Sequence, residues 1–310
     1  MTTLIFGHQN PDTDAVISAM TFAEYQRQLG NTDVEAVALG ELNDETKFAL
    51  DALKLDTPRV VNTVANETDT VMLVDHNEFQ QSVADIKDVT IAAVVDHHRI
   101  ANFTTAAPLF YRAEPIGSTN SVLFNMFKER GFEITPTLAG MMASGLISDT
   151  LLLKSPTTTD RDREIFAELK QIADIDLEAF GLNMLKAGTN LAAKTDKELI
   201  DGDAKSFEMA GKSVRIGQVN TVDLDEIYAR QAELTQAMTD EAKADGYDLF
   251  LLVATDILNS NSVGFAVGSD QDKLEAAFNQ KFDGNQRLNL PGVVSRKKQV
   301  VPQLTAAFEA

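Results

Sequence analysis

The stretch Leu4-Ile5-Phe6-Gly7-His8-Gln9-Asn10-Pro11-Asp12-Thr13-Asp14 decides how the first half of the chain is read. A short apolar run ends at Gly7, and a polar loop with one histidine and two aspartates follows. Over residues 12–30 apolar residues recur at helical spacing (Ala15, Ile17, Ala19, Met20, Phe22, Ala23), with Gly30 placed to close the helix. Residues 34–39 read as a second strand, and 44–53 as a helix with Asn43 as its N-cap. Residues 71–74 (VMLV) and 91–95 (IAAVV) are unbroken apolar runs, the pattern of strands buried on both faces of a parallel sheet. Strands alternating with helices predict an α/β fold.

Further along, residues 118–130, 138–147, 160–173 and 176–186 carry helical patterns. The small, polar stretch 187–195 (AGTNLAAKT) then predicts a domain boundary. The expected division is an N-terminal domain over 1–188, a linker over 189–195 and a smaller C-terminal domain over 196–310. In that second part, strand-like segments at 206–209 and 213–220 flank a turn at Ala210-Gly211-Lys212. A helix is expected over 223–244, paired strands over 248–255 and 262–267, and a helix over 272–282. The fold class is therefore α/β: a mostly parallel sheet flanked by helices, followed by a smaller α/β domain, with the active site expected in the cleft between them.

The 310 residues include no cysteine, which excludes disulfides, iron–sulfur clusters, thiolate zinc sites and a cysteine nucleophile. A formal net charge of −20 opposes binding to nucleic acid or an anionic membrane. The N-terminus has no basic n-region or cleavage site, and no apolar run approaches the roughly 20 residues that span a bilayer, so a soluble cytoplasmic protein is expected. The P-loop, the dinucleotide-binding glycine fingerprint and the GxSxG elbow are all missing from the sequence.

The chain has four histidines, His8, His76, His97 and His98, and each follows an apolar strand-like run beside a carboxylate. In a parallel sheet the carboxyl ends of the strands share one edge, where ligands bind. Three strand ends would thus gather His8, Asp12, Asp14, Asp75 and Asp96-His97-His98, and Asp149 could join them from a helix end. Taken singly, such a histidine is more often a structural hydrogen-bonding group, Asp12 or Asp14 a helix N-cap, and Asp149 a capping residue. The joint pattern overturns those readings. Imidazoles with several carboxylates suit manganese, iron, cobalt or zinc, whereas carboxylates alone suit magnesium or calcium. So many aspartates point to more than one ion, and two ions roughly 3.5–4 Å apart suit phosphoryl transfer to water. The densest basic run, Ser295-Arg296-Lys297-Lys298-Gln299, reads alone as a solvated loop or an edge-strand guard. Beside a metal site, its arginine fork and lysine charges become ligands for a polyanion. Lys205 is a weaker candidate for the same task.

These segments, with Ser148-Asp149-Thr150, resemble in order and over nearly the whole chain the motif set of family II inorganic pyrophosphatases, manganese-dependent members of the DHH phosphoesterase superfamily. Asp-His-His by itself would indicate the superfamily only. The resemblance implies a DHH domain followed by a DHHA2-like substrate-binding domain, acting together to hydrolyse diphosphate to two phosphates. It implies two Mn2+ per subunit, with Co2+ or Mg2+ as replacements and a further Mg2+ arriving on the diphosphate. One ion falls to His8, Asp12 and Asp75, the other to Asp14, Asp75, His97 and Asp149, with Asp75 shared and a hydroxide between the ions. Asp12, Asp14, Asp75 and His98 form the catalytic set, His98 facing the substrate and Asp96 orienting a histidine. Lys205, Ser295, Arg296 and Lys297 bind diphosphate, with Lys298 nearby. His76 and Asn77 stand either behind the ligands or at an oligomer contact. The resemblance also implies a homodimer through the N-terminal domain, with neither nucleic acid nor membrane as partner. Two rival readings are a relative that cleaves short oligonucleotides and a non-enzymatic metal-binding protein. The first is disfavoured because no histidine stands in the C-terminal half, the second because a metal store needs no phosphate ligands.

Overall fold

A computed structural model describes residues 2–310, which divide into two compact units, the first ending at Gly188 and the second spanning Thr189–Ala310. The first opens with β1 (Thr3–Phe6), α1 (Thr13–Gln28), β2 (Val34–Ala36), α2 (Asp44–Ala52), β3 (Thr70–Val74), β4 (Thr90–Asp96) and β5 (Phe110–Ala113). It is completed by α3 (Thr119–Arg130), α4 (Pro136–Thr150), α5 (Asp160–Ile172) and α6 (Leu177–Thr189), the last of which runs one residue past the division. The five strands form a wholly parallel sheet in the order β2-β1-β3-β4-β5. From β1 the chain steps outward to β2, then returns to β3 on the other side of β1 and continues away. The order therefore reverses between β1 and β3, and the crevice for a ligand opens at the carboxyl ends of those strands.

The apolar runs are buried as expected: Leu4, Ile5, Phe6, Leu73, Val74, Val94 and Val95 are each at most 1 % exposed. Helix α1 is buried around most of its circumference, and so is the middle of α4, from Leu138 to Ile147. Such helices must approach their neighbours closely, which is why glycine stands at position 145. A Cβ there would lie 2.2 Å from Asn120 Nδ2 and 2.4 Å from Asp14 Oδ1. Strand β5 escaped the periodicity because FYRA is a short edge strand, exposed or half-exposed throughout, with no apolar run to mark it.

The second unit begins with a short helical turn, Leu191–Ala193, then α7 (Asp196–Asp201), β6 (Ala204–Met209), β7 (Lys212–Thr221), α8 (Leu224–Tyr228), α9 (Gln231–Asp245), β8 (Leu249–Asp256), β9 (Asn261–Gly268), α10 (Gln271–Phe278) and β10 (Leu288–Pro291). A wide helical turn, Arg296–Val300, leads into α11 (Val301–Glu309). The sheet is mixed, in the order β10-β9-β8-β7-β6, with β7 and β8 its one parallel pair. Ala210 and Gly211 both have positive φ (50° and 79°), the geometry of a two-residue hairpin turn whose twist matches its strands.

Three local expectations are corrected here. Stretch 189–195 is not an extended linker: it holds the helical turn, and Leu191 is buried in the second unit's core with Ile227 and Leu234. The helix expected over 223–244 is two helices, broken at Ala229-Arg230, where the Arg230 guanidinium binds Asp196 and the carbonyls of Leu191 and Lys194. The basic run is neither a free loop nor a strand edge but the helical entry to α11, capped by Ser295, whose side chain accepts from the Lys298 N–H.

Candidate metal centre and phosphate-binding segment

The acidic cluster lies at the sheet edge where strand order reverses. His8 follows β1, Asp75 follows β3, and Asp96, the last residue of β4, precedes His97 and His98. Asp12 caps α1 by accepting from the Ala15 N–H, so the commonplace reading of that residue and the metal reading hold together. Asp14 lies in the first turn of α1 and Asp149 near the end of α4.

Two groups of donors emerge, each with its ligand atoms within 4.8 Å of one another: His8, Asp12 and Asp75, and Asp14, Asp75, His97 and Asp149. Asp75 belongs to both. His8 Nε2 is 3.5 Å from Asp12 Oδ2 and from Asp75 Oδ2, while His97 Nε2 is 3.1 Å from Asp149 Oδ2 and 3.5 Å from Asp75 Oδ1. A third grouping joins His98 to Asp75 and His97, but His98 Nδ1 is turned to Asp96 Oδ1 at 2.9 Å, leaving Nε2 as its free ring nitrogen.

The surroundings hold these groups firmly. Asp14 sits against the N-terminus of α3: Oδ2 accepts from the Thr119 N–H (2.7 Å), and Oδ1 from the Asn120 N–H (3.2 Å) and Nδ2 (2.7 Å). Unpaired amides and the helix dipole both favour a carboxylate there. Thr119 also donates its hydroxyl to Asp75 Oδ1 at 2.8 Å. His97 donates from Nδ1 to the Ile116 carbonyl (2.9 Å), which fixes the tautomer and presents Nε2 as an acceptor. Asp96 accepts from both the His97 and His98 amides and from Asn77 Nδ2 (2.7 Å). Asn77 thus braces Asp96, and its Oδ1 also holds the following loop through the Ala101 N–H. His76 is buried, with Nδ1 donating to the Val74 carbonyl, and burial takes its pKa down to about 4.

Asp75 Oδ2 and His97 Nε2 are buried without a hydrogen-bond partner among the described residues. Two such orphans facing an acidic cluster are expensive to leave unsatisfied, and a cation would satisfy both. Mixed imidazole and carboxylate donors fit manganese or a similar divalent ion. Without a cation the cluster holds protons instead. Burial, then the neighbouring Asp14 charge, raises the Asp75 pKa well above its ordinary value and pushes Asp149 up to about 7. Burial disfavours a charged His97, but the adjacent Asp149 and Asp75 outweigh it and push its pKa up to about 12. Burial disfavours charge on Asp12 and on His8 too, but their mutual attraction prevails, lowering the one and raising the other.

In the second unit, Lys205 is exposed on β6, and Lys297 and Lys298 are exposed on the wide turn. Arg296 is instead 9 % exposed, with Nη2 2.6 Å from Asp203 Oδ1 and Nη1 donating to the Asp203 carbonyl. Gln218, outside every quoted motif, and Gln299, the last residue of the basic run, hold this segment. Gln218 accepts from the Arg296 N–H (3.0 Å), and Gln299 Oε1 accepts from the N–H groups of Val294 (2.9 Å) and Ser295 (3.1 Å).

Thr119, Asn120 and Gln218 carry no motif signal, and the only cue for the first two was their place at the start of a helix. Residues 2–146 match the DHH family N-terminal domain and residues 182–307 the DHHA2 domain. Among curated relatives, "Probable manganese-dependent inorganic pyrophosphatase" of Lactiplantibacillus plantarum is 61 % identical over 307 residues, 99 % of each chain. The protein of the same description from Enterococcus faecalis is 58 % identical over 98 % of each chain. A solved structure described as a "putative family II inorganic pyrophosphatase" of Methanococcus jannaschii is 36 % identical, with TM-score 0.60 and full coverage of both chains. The chain belongs to the family of manganese-dependent inorganic pyrophosphatases.

Proposed function

We propose that this protein hydrolyses inorganic diphosphate to two orthophosphates, with water as the acceptor and no covalent enzyme intermediate. The observation that carries this reading is the pair of donor groups sharing Asp75, with two unsatisfied ligand atoms turned into them. The names of the close relatives give the substrate. His8, Asp12 and Asp75 would hold one Mn2+ and Asp14, Asp75, His97 and Asp149 the other, with Co2+ or Mg2+ as replacements. Bound there, such ions would supply an acidified water as nucleophile and positive charge for phosphate oxygens. His98, steadied by Asp96, offers its free Nε2 to a phosphate oxygen. Lys205, Arg296 and Lys297 take the diphosphate, which arrives as its Mg2+ complex, and Ser295 keeps their turn capped. Their charge stabilises the leaving phosphate. A cytoplasmic homodimer formed through the first unit belongs to the same reading and rests on the family resemblance.

The test is orthophosphate release from diphosphate after stripping with chelator and reloading with Mn2+ or with Mg2+ alone. Asp75→Ala and Arg296→Ala are run beside the unaltered protein. Fast release that depends on Mn2+ and collapses in both variants is expected. No release from diphosphate, with cleavage of a short oligonucleotide, would move the protein to the nuclease branch of its superfamily. Bound metal without turnover on either substrate would make it a metal-binding protein.

A further inference from the structure

Glu45, in the first turn of α2, follows no strand and belongs to none of the donor groups, yet it touches the two chain segments that carry Asp14 and Asp149. Its Oε1 accepts from Thr13 Oγ1 at 2.7 Å and from Ser148 Oγ at 2.5 Å. Thr13 stands between Asp12 and Asp14 at the start of α1; Ser148 immediately precedes Asp149 near the end of α4. One oxygen thus ties together two ligand-bearing segments far apart in sequence. Thr13 also lies 3.1 Å from Thr46 Oγ1, and the Thr46 N–H is bound by Asn43, so the tie is anchored in the capped start of α2. Burial, followed by the Asp12 charge, raises the Glu45 pKa. A carboxylate set beside other carboxylates adds repulsion. Its position is explained by what it accepts, not by its charge.

We propose that Glu45 is a positioning residue for the metal centre: through Oε1 it holds Thr13 and Ser148, and so keeps Asp12, Asp14 and Asp149 convergent before a cation enters. This rests on the metal-site reading above. Convergent carboxylates repel one another, and hydrogen bonds to neighbouring residues oppose their drifting apart. Supports one residue removed from the ligands commonly change metal affinity by about 10–100-fold when lost. Gly188, the last residue of the first unit, sets a limit on the same side chain: a Cβ there would lie 2.9 Å from Glu45 Oε2 and 3.2 Å from Glu45 Cβ. A side chain at 188 would have to push Glu45 away from its two hydroxyls.

The experiment measures Mn2+ affinity of the metal-free full-length protein by titration calorimetry, with free Mn2+ followed by electron paramagnetic resonance. Glu45→Gln keeps the carbonyl acceptor and removes the charge; Glu45→Ala removes both. Glu45→Ala is expected to weaken Mn2+ binding by about 10–100-fold. Glu45→Gln should restore binding to within a few-fold, and Gly188→Ala should fall between them. Native-like thermal melts of the metal-free variants separate this from unfolding, and if Glu45→Ala does not fold, Gly188→Ala carries the test. Unchanged affinity in Glu45→Ala and Gly188→Ala would overturn the proposal. So would Glu45→Gln binding as weakly as Glu45→Ala, since the charge rather than the tie would then matter. Failure of the unaltered protein to bind Mn2+ would instead strike the metal-site reading itself.

Discussion

The acidic cluster of the first unit and the basic segment of the second are built on opposite principles. Asp14 and Asp75 are at most 1 % exposed, and their oxygens are met by amides, hydroxyls and an asparagine from a helix more than 40 residues further along the chain. Lys205, Lys297 and Lys298 stand in solvent, and only Arg296 is fastened, to Asp203. A metal site needs several donors all at nearly the same bonding distance, about 2 Å, from a common point, and the protein must assemble them against their mutual repulsion. Cations for a doubly phosphorylated substrate act through charge at longer range, and an ammonium on a flexible stem adjusts to its ligand. The rigidity is thus spent where geometry matters most.

The sharpest way to break this contrast is Asp75→Asn, which takes a charged oxygen from both donor groups at once. Loss of several kcal/mol of transition-state stabilisation lowers kcat by about 10^3-fold or more, measured as phosphate release at saturating Mn2+. A drop of only a few-fold would mean the two groups are not one centre. On the basic side, Arg296→Ala removes charge-assisted hydrogen bonds worth roughly 1.5–3 kcal/mol, so kcat/KM should fall about 10–100-fold with Mn2+ affinity unchanged. Altered Mn2+ binding in that variant would erase the division of labour. Lys205→Ala should cost a few-fold at most, mainly in KM, and its effect should shrink as ionic strength rises, because an exposed charge is screened. A salt-independent loss would mean Lys205 is as fixed as the aspartates.

The smallest effect concerns protons. Burial raises the pKa of Asp75 and pushes that of Asp149 up to about 7 in the metal-free fold. A carboxyl raised on folding contributes stability that is fully present below its unfolded pKa, near 3.9, and lost as pH rises through the folded value. The metal-free protein should therefore weaken as pH climbs toward and past 7. Mn2+ requires the deprotonated form, so the Tm gain on adding it should grow with pH, by about 3–6 °C per pH unit below 7. Scanning calorimetry at fixed Mn2+ from pH 5.5 to 8 checks this. A gain that stays flat would mean no carboxyl exchanges a proton for the metal.

Much of the candidate site could be read without coordinates because strand ends announce themselves locally. A short apolar run such as LIF or IAAVV, alternating with helical patterns, reads as a strand buried on both faces, and a polar residue directly after it emerges at the sheet edge. What escaped was either weakly patterned or assembled at long range. Strand β5 and helix α11 are short, and the break at Ala229-Arg230 comes from Arg230 reaching Asp196 and the Leu191 carbonyl. Thr119, Asn120, Glu45 and Gln218 look like ordinary polar residues until packing turns them toward Asp14, Asp75, Ser148 and the Arg296 backbone.

The parallel sheet, the histidines and aspartates at its strand ends and the basic run were legible in the chain alone, because each follows from the chemistry of a few consecutive residues. Packing across the fold brings Asp75 into two donor groups and leaves its Oδ2, 3.5 Å from His8 Nε2, without a hydrogen-bond partner among the described residues. It also dictates that Gly145 must lack a side chain for Asn120 to reach Asp14. Distances between segments separated by about a hundred residues are set by how helices and sheet pack, and close packing leaves room for only one arrangement.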